Sequence, residues 1–253
     1  AHGAIFVWGA YFFDALLIFK TPAAVAFLGS ILLAAILGVG IDAGIYRPLQ
    51  SRGAPPTTVL LGSLAIYTVL VNTAGLAFGD RTLVLRAGTD QMYSLGPILI
   101  TRMQTVECVS SLALFVVLSI VFRYTNMGLD IRAVADNQAL AEWRGINTSF
   151  VRLVVVAFGS GLAAFAGIIA GLDTGLDPTA GLPISLLAVS ATIFAGSDRL
   201  AAPMMISGVM GATHSLITWF TSGTWADALF YTILFGALIW RAHKPRESTG
   251  EVS

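Results

Sequence analysis

Charged residues in this 253-residue chain are gathered into short clusters between long apolar runs, and that spacing limits the fold more than any other feature. A helix needs about 20 residues to cross the ~30 Å hydrocarbon layer of a bilayer. Stretches 3–19, 21–45, 57–78, 103–124, 151–172, 201–220 and 224–240 meet or approach that length. A shorter run, 184–195, lies between Pro183 and Gly196 and reads as a short span, a tilted span or half of a broken helix. Only 11% of the residues are charged, whereas a soluble domain carries about a quarter. The expectation is an all-α, polytopic membrane helix bundle, a single transmembrane domain over 1–253, with its polar breaks at the bilayer surfaces.

One break has a different character. Segment 79–102 alternates apolar and polar residues around Leu83–Leu85 and Ile98–Ile100, with Gly88 and Gly96-Pro97 as turn signals, so it predicts a small strand-like element. The chain opens on Ala1-His2-Gly3 with no charged leader and no Met, which suggests that an N-terminal piece precedes it.

Charge placement sets the orientation. Loops 46–56, 125–150 and 196–200, their flanks and the tail 241–253 hold Arg47, Arg52, Arg123, Arg132, Arg144, Arg152, Arg199, Arg241, Lys244 and Arg246. The opposite side holds only Lys20, Arg81, Arg86 and Arg102. The richer side is cytoplasmic by the positive-inside rule, which requires 184–195 to cross and gives about eight spans. Net charge is zero, so nothing attracts nucleic acid, and the single cysteine, Cys108, excludes an internal disulfide or a cysteine-based metal cluster.

Within the cytoplasmic loop 125–150, Asp136 is placed to cap a two-turn helix over Asn137–Arg144, and Gly145 to stop it in the left-handed region. Asn147 or Thr148 caps the next span. Ala139, Leu140 and Trp143 share one face of the short helix. That face packs on the chain's own helix ends or on headgroups, or it docks into a groove of a partner. Small residues recur every fourth position at Gly159, Ala163, Gly167 and Gly171, and again at Ser207, Gly211 and Ser215. Such stripes let helices approach closely in lipid. Ionisable groups in spans mark a solute path or a buried pair. His2, Asp14 and His214 are the pathway candidates, while Asp42 and Glu107 stand near enough to span ends to reach headgroups or water.

The block 128–171, with its Arg132-Ala133-x-Ala135-Asp136 stretch, Gly145-Ile146-Asn147 and the Gly/Ala-rich helix that follows, resembles the branched-chain amino acid permease family of ABC importers. Ala1-His2-Gly3, Tyr46-Arg47-Pro48-Leu49 and Asp177-Pro178 with Gly181 resemble further segments of that family in the same order. Its glycine-rich loop is replaced here by Phe194-Ala195-Gly196-Ser197-Asp198-Arg199. The resemblance implies a permease subunit of the bacterial inner membrane, with about one span missing before Ala1. It implies a second permease subunit, two cytoplasmic ATPases on loop 125–150, and a periplasmic solute-binding protein. No cofactor is expected in this chain, which lacks the G-x-x-x-x-G-K-[ST] run that cradles ATP phosphates. A secondary transporter or channel is the alternative, although the two halves show no repeat. An intramembrane protease built on Ser160 and His214 lacks identifiable oxyanion donors.

Overall fold

The structure, a computed structural model, describes residues 1–79, 82–85, 92–95, 98–196, 201–221 and 223–243. Its packing falls into two units, Ala1–Ser185 and Leu186–Ser253.

Among the described residues, the first unit is helical apart from one pair of antiparallel strands and a single bridge between Leu83 and Leu176. Helices α1 (His2–Ile18) and α2 (Ala23–Ile41) are joined by a tight turn at Lys20. A π turn over Asp42–Tyr46 carries α2 directly into α3 (Arg47–Ser51). Then come α4 (Pro56–Phe78), strands β1 (Met92–Leu95) and β2 (Ile98–Thr101), α5 (Arg102–Tyr124), α6 (Asn126–Asp136), α7 (Gln138–Trp143) and α8 (Thr148–Asp173). Helix α9 (Gly181–Ala195) follows, and the second unit continues with α10 (Ala201–Phe220) and α11 (Gly223–His243). The strands pair antiparallel, Met92 opposite Thr101, in the segment expected to be strand-like.

Four helical stretches among the described residues have the length and apolarity to cross a membrane: Ala23–Ser51, Pro56–Phe78, Arg102–Tyr124 and Thr148–Asp173. The apolar helices α1 and α9 are shorter. Large apolar side chains such as Leu28, Leu32, Leu61, Val109 and Leu112 stay exposed along these helices, the arrangement expected where the surrounding solvent is hydrocarbon.

One boundary differs from the sequence reading. The expected break at 46–56 begins later, because the helix runs through Tyr46-Arg47-Pro48-Leu49 to Ser51. Pro48 has no N–H and its ring crowds the carbonyl four residues earlier. A widened turn just ahead of it relieves that crowding without ending the helix.

The core of this unit is the contact of α1, α2 and α8. Ile5, Ala34, Ile41 and Ala164 form one buried cluster, Phe13, Ala26 and Ile168 a second. A third joins Phe6, Val7, Ala10 and Tyr11 of α1 to Ala74 of α4 and to Leu176. Trp8 lies beside it and donates its indole N–H to the Leu70 carbonyl at 3.0 Å. Helices α2 and α8 run antiparallel, since Ile31 meets Gly161 while Asp42 meets Arg152. The loops at the far end of α8 are tied by paired backbone bonds between Leu83 and Leu176 and by Thr82 donating to Asp177 at 2.7 Å.

In the second unit, His214 of α10 meets Phe230 edge-on, with ring centroids 5.1 Å apart.

Candidate functional site

From the start of α5 to the start of α8, four side-chain caps follow in succession. Thr101 and Gln104 form a reciprocal capping box at the start of α5. At its other end Thr125 accepts from Gly128 N–H (3.1 Å) and opens α6. Helix α6 was not expected, because Asn126–Asp136 is short and polar on average and so reads as a loop, although its apolar residues do gather on one face. It moves the next cap by one residue. Asp136 is the last residue of α6 rather than the cap of α7, and Asn137 takes that role with extended backbone, its Oδ1 accepting from Leu140 N–H at 3.1 Å. An Asn side chain satisfies the orphan donor as well as an Asp does, so residue type alone did not separate the two.

Helix α7 ends where expected. Gly145 adopts φ +83°, a conformation costly for any residue with a Cβ. Asn147, not Thr148, then caps α8 by accepting from Phe150 N–H at 3.0 Å. Glu142 ties the two helices, accepting from Thr148 (2.7 Å) and Gln138 (3.1 Å). Those hydrogen bonds, Thr148's first, hold its carboxyl below the usual glutamate range.

The faces of α7 divide sharply. Ala141 turns inward and is buried. Ala139 is exposed, Leu140 is 55% exposed and Trp143 is 87% exposed. The shared apolar face of Ala139, Leu140 and Trp143 is therefore present and left uncovered by the chain's own described helices.

A second constellation lies at the same end of α8. Asp42, read from sequence as a group within reach of headgroups or water, is 3% exposed. Arg47 donates from Nε to its Oδ2 at 2.8 Å. Arg152, in the second turn of α8, donates from Nε to both carboxylate oxygens at 3.1 Å, from Nη2 to Oδ1, and from Nη1 to Gln50 Oε1. A carboxylate in this apolar setting is tolerable only with such partners. Sequence carried no local sign of it, because Arg152 is 110 residues away.

The stripe at 159, 163, 167 and 171 is only half at the interface. A Cβ on Gly167 would strike the Phe6 carbonyl, and one on Gly171 would press on Leu85 and Ala10. Gly159 and Ala163 lie at the edge, while Ser160 and Ala164 are fully buried. Positions four apart drift by about 40° per step on a helix of 3.6 residues per turn, so a four-residue stripe leaves a straight interface within a few steps. In the second stripe Ser207 is half-buried and Ser215 exposed, and among the described residues none stands within 4 Å of a Cβ on Gly211.

The pathway candidates belong to two elements, His2 and Asp14 to α1 of the first unit and His214 to α10 of the second. His2 is exposed, with Nε2 3.7 Å from where a Cβ on Gly159 would stand. Asp14 is half-buried about one turn from the end of α1, and His214 packs on Phe230 in the other unit. Ser160 is buried against Gly38, its Oγ without a hydrogen-bond partner among the described residues and without access for a substrate. An apolar cleft of about 570 Å³ between α2, α5 and α8, lined by Leu28, Leu32, Leu114, Phe158 and Phe165, offers no polar group to a hydrophilic solute. Residues 197–200 and 244–253, which hold the altered glycine-rich loop and most of the tail, lie outside the described residues.

Comparison with known proteins adds independent information. The family described as branched-chain amino acid transport system / permease component matches residues 1–238. The high-affinity branched-chain amino acid transport system permease protein LivH of Salmonella typhimurium is 26% identical, over 94% of this chain and 82% of its own length. LivH of Escherichia coli strain K12 matches with the same identity and coverage. BraD of Pseudomonas aeruginosa, with the same description, is 23% identical over 94% of this chain and 81% of its own. No solved structure matches significantly.

Proposed function

This chain belongs to the family of branched-chain amino acid transport system permease components, and from that premise we propose that it is the membrane-spanning subunit of an ATP-driven importer. Its apolar helices and its family make it a multi-pass membrane protein. In the proposed assembly it pairs with a second permease subunit, a paralogue, in the bacterial inner membrane. A periplasmic binding protein delivers a branched-chain amino acid or a related amino acid or amide. Two cytoplasmic ATPases bind ATP and drive the cycle, and this chain performs no chemistry itself. Loop 125–150 faces them.

The observation that carries this reading is the uncovered face of α7. Trp143 and Leu140 stand clear of the bundle, rooted by buried Ala141 and held by the Asn137 cap at the start of α7 and the left-handed Gly145 at its end. An aromatic anchor on a rigid short helix is the kind of feature a groove receives. In this reading the ATPase supplies the groove.

Trp143→Ala tests it. Loss of a buried aromatic anchor costs about 2 kcal/mol or more, roughly a thirtyfold loss of affinity. The variant should insert and fold normally, yet lose co-purification of the ATPase and solute-stimulated ATP hydrolysis, with Trp143→Phe milder. Loss of folding yield in step with activity would assign Trp143 to packing on its own subunit. Normal uptake by the variant with no ATPase present would make the chain a secondary transporter. Orientation is tested separately. In a Cys108→Ala background, cysteines at Ser51 and Asn137 should be shielded from an impermeant thiol reagent in intact cells, and one at Thr174 labelled.

A further inference from the structure

The Asp42 constellation has a geometry that a simple ion pair does not need. In the π turn the Arg47 N–H bonds to the Asp42 carbonyl, and this five-residue step stacks side chain 47 over side chain 42. The Arg47 guanidinium then meets the Asp42 carboxylate at 2.8 Å. Arg152 approaches from α8 and holds the chain at both ends of the turn, at Asp42 where it starts and at Gln50 beyond it. Were the turn to tighten to ordinary α spacing, everything beyond it would rotate by about 100°, one residue's step. Arg47 and Gln50 would then leave the face that Arg152 occupies. Arg152 thus selects one of two helix registers for the end of α2. It is also joined to α7 by a short, rigid path. Gly145 ends α7, Asn147 caps α8, and Arg152 follows five residues later on the same helix.

Resting on the importer reading, we propose that Arg152 is a positioning residue that couples α7 to α2: displacement of α7 by an ATPase moves Arg152, and Arg152 carries the π turn of α2 with it. The carboxylate is the fixed point, and Gln50 is the arm that makes the link sensitive to register.

The experiment uses the complete transporter in proteoliposomes, in a Cys108→Ala background, with nitroxides at the exposed positions Ser51 and Ser149. Arg152→Lys keeps a charge on Asp42 but cannot reach Gln50 at the same time. Gln50→Ala removes only the far arm. Both should assemble with the ATPase and hydrolyse ATP, while solute moved per ATP falls about tenfold, a usual size for a lost coupling between sites. The distance distribution between 51 and 149 should gain a second population. Uptake per ATP at the wild-type level and a single distance in both variants would show that the cluster only stabilises the fold, and would overturn the proposal. If Arg152→Lys fails to assemble, Gln50→Ala decides on the same readings. If the unaltered protein captures no ATPase, the importer reading fails, and the 51–149 distances alone still decide whether Arg152 holds the register.

Discussion

The inner face of α8 and the outer face of α7 follow opposite rules. Along α8 the chain places Ser160, Ala164, Gly167 and Gly171 where α1 and α2 come closest, and backbone lies nearly on backbone. Along α7 it places Ala139, Leu140 and Trp143 where no described residue covers them. In lipid, apolar size alone does not draw helices together, because the tails are as apolar as Leu, so cohesion comes from shape and from small residues. At the membrane surface, water makes uncovered Trp and Leu costly, so size there calls for a partner. In this molecule small residues mark contacts already made, and the large ones at the loop form the face that the proposed docking would cover.

The hardest test of the first half is Gly167→Leu. The Phe6 carbonyl and its neighbouring carbons occupy the place of the new Cβ, so α1 must move away from α8. The effect should lie at or beyond the top of the about 1–3 kcal/mol typical of overpacking, and folded permease recovered from membranes should drop steeply. Gly211→Leu is the control, since no described residue stands within 4 Å of a Cβ placed there. A normal yield of the Gly167 variant would break the comparison.

What sequence revealed follows the same division. Of the about eight spans expected, the four long ones were legible because bilayer thickness sets a run length that composition must meet, and the end of α7 because Gly145 carries a local meaning. The Asp42 cluster was not, since it depends on Arg152 reaching back across the bundle and on a π turn placed by Pro48. Helix α6 was hidden because its ends rest on Thr125 and on residues that also suit a polar loop. The 159–171 stripe was half right for a geometric reason, the drift of a four-residue repeat around a 3.6-residue helix.

A smaller effect is expected at Asn147. Its Oδ1 satisfies the Phe150 N–H at the start of α8, and losing such a cap costs about 1 kcal/mol. Asn147→Ala should lower thermal stability modestly in detergent, with Asn147→Asp close to the original. Because the cap lies between α7 and Arg152, the loss of transport should exceed what the lost stability explains. A proportionate loss would place Asn147 with the packing face of α8, not with the uncovered face of α7.

The smallest expected effect concerns Glu142, and its sign can be worked out. Thr148 and Gln138 donate to its carboxylate, so the folded form binds a proton less readily than the unfolded one. A carboxyl lowered in this way contributes fully above its unfolded value, and the contribution disappears as pH falls through the lowered one. The side chain is fully exposed, so water screens the interaction and the change stays local. What it holds is the angle between α7 and the start of α8, since Gln138 belongs to one helix and Thr148 to the other. A nitroxide at Ala139, in a Cys108→Ala background, should therefore gain mobility as pH drops below the ordinary carboxylate range, without global unfolding. Glu142→Ala should show the mobile spectrum at every pH. Glu142→Gln should not titrate either, yet should stay closer to the ordered state, because its amide oxygen still accepts from Thr148. Mobility that rises with acid even in Glu142→Ala would assign the transition to another group and leave α7 held by its caps alone.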